Sequence, residues 1–253
     1  MIDTHAHLQW PDFDKDREQV IKRAFDAGLR AIVSIGYDLN ASREAVGIAN
    51  SHEGVYAVVG IHPHNARTIS AKVLSALRGL AQDSKVVAVG EIGLDYYRNL
   101  SPRPQQKEAF EQQLQLAREL KLPVVIHDRE AHADILQIVR SHGKDVAGVL
   151  HCFSGSLEMA REAVELGYLI SLAGPVTFPN ARNLHRLVQS LPMESVVLET
   201  DCPWLAPQLH RGKRNEPAFI VETVRKVAEL KGTSFEDLVE ATSENAKRLF
   251  RIP

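Results

Sequence analysis

Short apolar segments recur along the chain and alternate with longer segments of helical periodicity. Eight of the short segments are apolar or β-branched at nearly every position, which is typical of strands that are buried on both faces of a parallel sheet. They cover residues 1–4, 31–35, 56–60, 86–90, 124–126, 148–150, 168–171 and 196–198. The pattern predicts eight buried strands.

The segments between these strands have the periodicity of amphipathic helices. The clearest covers residues 103–121, where apolar residues recur at spacings of three and four on one face: Phe110, Leu114, Ala117 and Leu120. We expect Pro123 to end that helix, because proline cannot continue it. Thr233 or Ser234 is the predicted cap of the last helix, since acidic residues follow in its first turn.

Strands and helices that alternate in this way predict a TIM-type (β/α)8 barrel of the α/β class. The alternative is an open doubly wound sheet, which would carry a glycine-rich phosphate loop after its first strand. No G-x-G-x-x-G sequence is present there. No low-complexity tract or linker marks a domain boundary, so we expect residues 1–253 to form one barrel domain.

The composition is that of an ordinary globular protein, with 44% hydrophobic and 25% charged residues. Two cysteines in 253 residues are too few for a disulfide framework. No apolar run approaches the roughly 20 residues that cross a bilayer, and the N-terminus lacks the pattern of a signal peptide. These features favour a cytoplasmic protein without a membrane partner. The net charge of −2 means that any nucleic acid must be held by a local basic patch.

Histidines and acidic residues stand at the ends of the predicted strands. They are His5 and His7 after the first strand, His62 and His64 after the third, Glu91 after the fourth, His127 after the fifth, His151 after the sixth and Asp201 after the eighth. In a β/α barrel the carboxyl ends of all strands meet at one face, which is where active sites lie. The pattern therefore predicts that distant imidazoles and carboxylates converge at one point.

Six of these residues form a candidate metal site: His5, His7, Glu91, His127, His151 and Asp201. His5 and His7 are two apart on a strand, so both side chains project to the same side. A buried Glu91 is costly unless it binds a cation. Six nitrogen and oxygen ligands without cysteine suit two divalent ions, with Mg, Mn and Zn all possible.

We assign His5, His7 and Asp201 to one ion and His127 and His151 to the other, with Glu91 shared between them because a carboxylate has two oxygens. Two such ions lower the pKa of a bound water and stabilise a phosphoryl displacement. Asp201 is expected to hold or deprotonate that water, which makes Glu91 and Asp201 catalytic residues.

Further candidates lie beside the metal site. We expect His62 to contact the scissile phosphate or to protonate the leaving oxygen, with His64 close to it. Arg129 and Arg214 are candidate phosphate-binding residues, because a planar guanidinium matches phosphate oxygens. Aromatic residues in the same loops can stack on splayed bases or simply pack the loops: Trp10, Phe13, Tyr37, Tyr96, Tyr97, Phe153, Phe178 and Trp204.

At these residues the chain strongly resembles the TatD family of metal-dependent deoxyribonucleases, within the amidohydrolase-like barrels. The matching stretches are IDTHAHL at 2–8, GIHPH at 60–64, GEIGLDYY at 90–97, VIHDR at 125–129, HCFSG at 151–155, ETDCPWL at 199–205 and RNEP at 214–217. The resemblance covers essentially the whole chain, and the six candidate ligands fall on the metal positions of the family. It implies hydrolysis of DNA phosphodiester bonds from the 3′ end, with single-stranded DNA or 3′ ends as substrate.

Two other functions fit the same residues. A hydrolase of a small-molecule amide, lactone or phosphoester would use the same metal site, because an exposed hydroxide between two ions attacks many electrophiles. A metal-stabilised barrel without catalytic activity would also need the ligands, although a buried acidic cluster is expensive to keep without a task. Nothing in the sequence indicates an obligate protein partner, and we expect a monomer.

Overall fold

The computed structural model describes residues 1–253. Eight parallel strands follow one another around a single sheet in chain order. They are β1 (Ile2–Ala6), β2 (Ala31–Ile35), β3 (Val55–Val59), β4 (Val86–Asp95), β5 (Val124–Arg129), β6 (Gly148–Leu150), β7 (Tyr168–Leu172) and β8 (Val196–Leu198). All eight fall on the segments that the hydrophobic pattern predicts.

The sheet closes on itself where the chain beyond β8 meets β1. Ala6 forms a parallel bridge with Cys202. The Asp201 amide donates to the carbonyl of His5, and the His7 amide donates to the carbonyl of Cys202, each at 2.9 Å. This closure confirms the predicted TIM-type barrel. It also brings Asp201 next to the first strand, from which it is far removed in the sequence.

Nine helices connect or flank the strands. They are α1 (Arg17–Asp26), α2 (Leu39–Ser51), α3 (Ala71–Leu80), α4 (Arg103–Leu120), α5 (His132–His142), α6 (Leu157–Glu165), α7 (Arg182–Ser190), α8 (Ile220–Lys231) and α9 (Phe235–Phe250). Helix α4 ends at Lys121, which adopts the left-handed conformation. Ser234 caps α9 by accepting a hydrogen bond from the amide of Asp237 at 3.0 Å. No helix combines the length and the apolar character that crossing a membrane requires.

The core has two parts, and their positions determine where a site can open. A cluster of 52 buried apolar residues includes those packed between strands and helices. A second cluster of 14 combines alternate strand residues, such as Val33 and Ile35, with Leu249 and Phe250 from the end of α9. Because α9 packs against this second cluster, the carboxyl ends of the strands remain available for a functional site.

Strand β4 is longer than its apolar run predicts. It continues past Gly90 through Glu91 to Asp95, and every residue in it is buried. The predicted end of this strand at Gly90 is therefore five residues too early. Beyond Gly90 the strand alternates, because Glu91 and Asp95 contact His127 at the barrel mouth whereas Ile92 and Leu94 are buried in the larger apolar cluster.

Gly93 allows β4 to continue alongside β5. Its φ is +133°, and a Cβ atom at this position would lie 2.1 Å from the carbonyl oxygen of His127. Only glycine tolerates this close approach. The two strands therefore remain paired as far as Asp95 and Arg129. This places Glu91 and Asp95 on the same side of β4 as His127.

Candidate metal centre

The six predicted ligands meet at the carboxyl ends of the strands. His5, Glu91 and His127 lie within β1, β4 and β5, and the other three follow directly after strands or close to their ends: His7, His151 and Asp201. Four are buried, whereas His127 and Asp201 are partly exposed at the mouth. The long-range contacts of the barrel thus gather side chains that are far apart in the sequence.

One set of ligands, the His5 group, consists of His5, His7 and Asp201. The Nε2 atoms of the two histidines are 3.2 Å apart. Asp201 Oδ1 lies 3.7 Å from His5 Nε2 and 3.5 Å from His7 Nε2. Glu91 Oε2 lies 3.6 Å and 3.8 Å from the same two nitrogens. Four ligand atoms therefore surround one small volume.

The other set, the His127 group, consists of His127 and His151. His127 Nδ1 is 3.2 Å from His151 Nε2. These nitrogens lie 2.8 Å and 2.9 Å from Glu91 Oε1. His62 Nε2 approaches the same oxygen at 3.5 Å. The two oxygens of Glu91 thus face two different sets of ligands.

These spacings fit divalent ions. Two nitrogens that bind the same ion, each at a distance of about 2.1 Å, lie roughly 3.0 Å apart in octahedral geometry and roughly 3.4 Å apart in tetrahedral geometry. The nitrogen pairs of both groups are separated by 3.2 Å. The donor set of imidazoles and carboxylates is also one that divalent transition metals and zinc accept.

The ionisable side chains of this cluster shift one another's pKa values. Burial alone would raise the pKa of Glu91, but His151 and His62 outweigh it and hold that pKa well below its usual range. Burial opposes charge on His151 and His127 as well, yet Glu91 and further carboxylates raise the pKa of both rings. The pocket therefore favours positive charge around Glu91.

Two further carboxylates lie behind the His127 group, close to the ring nitrogens that face away from Glu91. Asp95 Oδ2 lies 3.2 Å from His127 Nε2. Glu199 Oε1 lies 3.4 Å from His151 Nδ1, and the Glu199 side chain is fully buried. Carboxylates in this position orient metal-binding imidazoles and raise their basicity. Sequence reasoning did not assign Glu199 a role. Its signal was an acidic residue directly after the apolar strand β8.

Asp3 is a second buried acid that sequence reasoning missed. Its carboxylate accepts hydrogen bonds from the amide of His5 at 3.2 Å and from the amide and hydroxyl of Thr200 at 3.0 Å and 2.6 Å. Burial raises its pKa to about 8 despite these bonds. Asp3 therefore joins β1 to the segment that carries Asp201.

The backbone is strained at two positions beside the ligands. Asp201 has a φ of +53° and Cys152, directly after His151, a φ of +42°. Non-glycine residues in the left-handed region are uncommon and persist only where surrounding contacts hold them. Here the Cys152 amide donates to Glu199 Oε1 at 2.6 Å, and the Asp201 amide donates to β1. Such strain is typical of functional sites.

His62 and His64 lie next to the ligands, as the sequence predicts. His62 Nδ1 accepts a hydrogen bond from the amide of His64 at 3.1 Å. Burial lowers the pKa of His62 to about 4. The ring is therefore neutral at neutral pH, with its proton on Nε2, which faces Glu91. His64 Nε2 lies 2.8 Å from Asp95 Oδ2.

The two predicted arginines differ in their surroundings. Arg129 is exposed at the end of β5, and its guanidinium lies 4.3 Å from the centre of the Tyr97 ring. Arg214 instead forms a bidentate pair with Asp16, at 2.8 Å and 2.7 Å. Its guanidinium also covers the ring of Phe13. Arg129 is free to meet a phosphate, whereas Arg214 already has a carboxylate partner, and its contact with substrate stays a prediction.

Comparisons with known proteins agree with the geometry. The profile of a family described as TatD related DNase matches residues 2–251. The chain is 42% identical over 253 residues to the uncharacterized metal-dependent hydrolase YabD of Bacillus subtilis, a match that covers 100% of this chain and 99% of YabD. It is 40% identical over 259 residues to the 3'-5' ssDNA/RNA exonuclease TatD of Pantoea sp. (strain At-9b), with 100% of both chains covered.

A solved structure is similar over the same length. The crystal structure of YJJV, a TatD homologue from Escherichia coli K12, has a TM-score of 0.92 and 32% identity to this chain, and covers 100% of this chain and 98% of YJJV. The resemblance noted in the motifs is thereby confirmed along the whole barrel. The chain belongs to the TatD related DNase family and is a metal-dependent hydrolase of that family.

Proposed function

We propose that this protein is a divalent-metal-dependent deoxyribonuclease that removes nucleotides from the 3′ end of single-stranded DNA. The observation that carries the proposal is that the two carboxylate oxygens of Glu91 face different groups of ligands. Its Oε1 faces the His127 group at 2.8–2.9 Å, and its Oε2 faces the His5 group at 3.6–3.8 Å. A carboxylate in this arrangement can bridge two ions, which is the architecture used for phosphodiester hydrolysis.

The positions of the two Glu91 oxygens determine which residues would share an ion. His5, His7 and Asp201 would hold one ion, His127 and His151 the other, and Glu91 both. Mg, Mn and Zn are the candidate ions. When bound, such ions lower the pKa of a coordinated water and neutralise charge on a phosphate.

The protein side chains have complementary tasks. Burial would raise the pKa of Asp201, but His7 and His5 outweigh it and lower that pKa, so the carboxylate is ionised at neutral pH and can accept a proton from the attacking water. The neutral His62 ring can donate a hydrogen bond from Nε2 to a phosphate oxygen, but it carries no second proton with which to protonate a leaving oxygen. Arg129 and His64 would bind the phosphate, and Arg214 would do so only by leaving Asp16.

The substrate class is supported by the relative from Pantoea, whose name describes an exonuclease acting 3′ to 5′ on single-stranded DNA and RNA. The match covers 100% of this chain and 100% of that relative. An open mouth with an exposed arginine suits a flexible phosphodiester chain.

The test is shortening of a 5′-labelled single-stranded oligonucleotide in Mg²⁺ or Mn²⁺. We expect a ladder of products shortened from the 3′ end, which disappears with a chelator and in Glu91→Gln. Glu111→Gln, an exposed acid on α4, is the matched control and should behave like the wild type. The absence of metal-dependent shortening, together with hydrolysis of lactones, cyclic amides or small phosphoesters, would replace the nuclease with a small-molecule hydrolase.

A further inference from the structure

Two aromatic rings at the barrel mouth are unusually exposed. Tyr97 is 58% and Trp204 is 41% exposed, and they are the only aromatic side chains among the exposed large apolar residues. Tyr97 lies two residues after Asp95, and Trp204 three residues after Asp201. Single exposed apolar side chains are ordinary on protein surfaces, so exposure alone does not assign these rings a role. Trp204 contacts the candidate ligand His7, whereas Tyr97 follows the strand that carries Glu91 and Asp95.

The other aromatic residues of the mouth are already covered. Phe13 and Phe153 are buried. The hydroxyl of Tyr96 donates to Asp134, and its ring lies under Arg103. Phe178 lies under Arg211. Trp10 and Tyr37 are partly buried and contact each other, with ring centroids 5.2 Å apart. Loop packing therefore accounts for these six rings, whereas Tyr97 and Trp204 remain largely accessible.

Trp204 borders the His5 group. Its ring contacts His7 edge to face, with centroids 5.1 Å apart, and contacts Trp10 in the same way at 4.6 Å. Its backbone is held firmly. The Trp204 amide donates to Asp201 at 3.0 Å, and the buried Asn215 side chain donates to the Trp204 carbonyl at 2.6 Å. The ring is thus positioned before any ligand binds.

Tyr97 lies two residues beyond the end of β4, the strand that carries Glu91 and Asp95. The guanidinium of Arg129 covers one face of the ring, and the exposed fraction of Tyr97 shows that much of the ring remains accessible. Asp95, two residues earlier, contacts His127. Tyr97 follows β4 and Trp204 follows β8, and in a closed barrel of eight strands in chain order these positions are opposite each other. The metal centre lies between the two rings.

We propose that Trp204 and Tyr97 are stacking platforms for the two nucleobases that flank the scissile phosphate. Aromatic rings bind bases of any sequence through their π-faces, and Arg129 on Tyr97 would add a charge for the backbone. Paired bases within a duplex cannot turn out onto both rings. The platforms would therefore explain a requirement for unpaired DNA, and this inference rests on the proposed nuclease function.

The test compares three single-stranded oligonucleotides: one intact, one with an abasic 3′-terminal nucleotide and one with an abasic penultimate nucleotide. For the wild type, we expect each abasic position to lower kcat/KM on the order of 10- to 100-fold, the range for one base–aromatic stack. Trp204→Ala should abolish the penalty at one position, and Tyr97→Ala at the other. Trp204→Phe and Tyr97→Phe should retain most of it.

Leu209→Ala is the matched control, because Leu209 is 70% exposed in the same loop as Trp204 and should keep both penalties. The proposal is overturned if the alanine variants keep both penalties, or if they lower kcat/KM equally on all three oligonucleotides. If the wild type does not shorten even the intact oligonucleotide, the nuclease function fails. Fluorescence anisotropy of the same oligonucleotides in Mg²⁺ then tests the platforms separately, and equal affinity for intact and abasic DNA overturns them.

Discussion

The two halves of the metal centre use the same residue types but support them differently. In the His5 group, His7 Nδ1 lies 3.0 Å from the carbonyl of Ile35, and His5 Nδ1 is buried without a hydrogen-bond partner. In the His127 group, His127 Nε2 lies 3.2 Å from Asp95 Oδ2, and His151 Nδ1, which is likewise without a hydrogen-bond partner, lies 3.4 Å from Glu199 Oε1. The nearest polar neighbour of an outer nitrogen is therefore a backbone carbonyl at His7 and a carboxylate at His127 and His151.

This difference changes how strongly each half attracts a cation. Burial, with a contribution from His151, lowers the pKa of His5, whereas the carboxylates around His127 and His151 raise the pKa of both rings. An imidazole with a carboxylate behind it is also a stronger metal ligand. We expect the His127 group to bind its ion more tightly, and the His5 group to exchange its ion more readily.

The largest expected effect comes from the one side chain that both halves share. Glu91→Gln removes the charge that faces both groups, so DNA cleavage should fall by about 1000-fold, which corresponds to roughly 4 kcal/mol of transition-state stabilisation. Isothermal titration with Mn²⁺ should show that both binding events weaken. If only one event weakens while the other is unchanged, Glu91 does not bridge.

One histidine variant in each group would show which group binds its ion more tightly. His151→Asn should weaken the tighter metal-binding event, and His7→Asn the weaker one, each on the order of 100-fold because a direct ligand is lost. Titration of each variant with Mn²⁺ measures the two events side by side. The expected difference in metal affinity between the two groups would be refuted if His7→Asn removed the tighter binding event.

The carboxylates behind the His127 group should have a smaller effect. Asp95→Asn and Glu199→Gln each remove charge from the far side of a ligand ring, and metal affinity should fall about 10- to 100-fold. Saturating metal should restore much of kcat. Asp128→Asn is the matched control, because Asp128 follows His127 but binds His132 instead. A similar loss of affinity in the control would show a general electrostatic effect.

The smallest expected effect is a difference in pH dependence. Because the pKa values of His127 and His151 are raised, these rings keep a proton to higher pH than a free imidazole does, and an ion must displace that proton. Affinity at the tighter binding event should therefore rise with pH by up to about tenfold per unit. His5 has a lowered pKa and is already neutral. The weaker event should therefore change little around neutral pH. Calorimetry in buffers of different ionisation enthalpy counts the protons released at each event.

The sequence by itself determined the order of the elements and the identity of most site residues. Apolar runs predicted all eight strands, because burial on both faces leaves little choice of residue. Polar residues at their ends predicted His5, Glu91, His127 and Asp201 at one face, since a closed barrel brings every strand end to the same place. Local signals of this kind also identified Ser234 as one of two candidate caps of the last helix.

Only the tertiary structure decided how these groups face one another. It extended β4 to Asp95, directed one oxygen of Glu91 to each set of ligands and placed Glu199 behind His151. It also paired Arg214 with Asp16 and left Trp204 exposed beside His7. Burial and periodicity act over a few neighbouring residues and can be seen in a sequence. The direction of a side chain depends on contacts with residues far along the chain, which exist only once the barrel has closed.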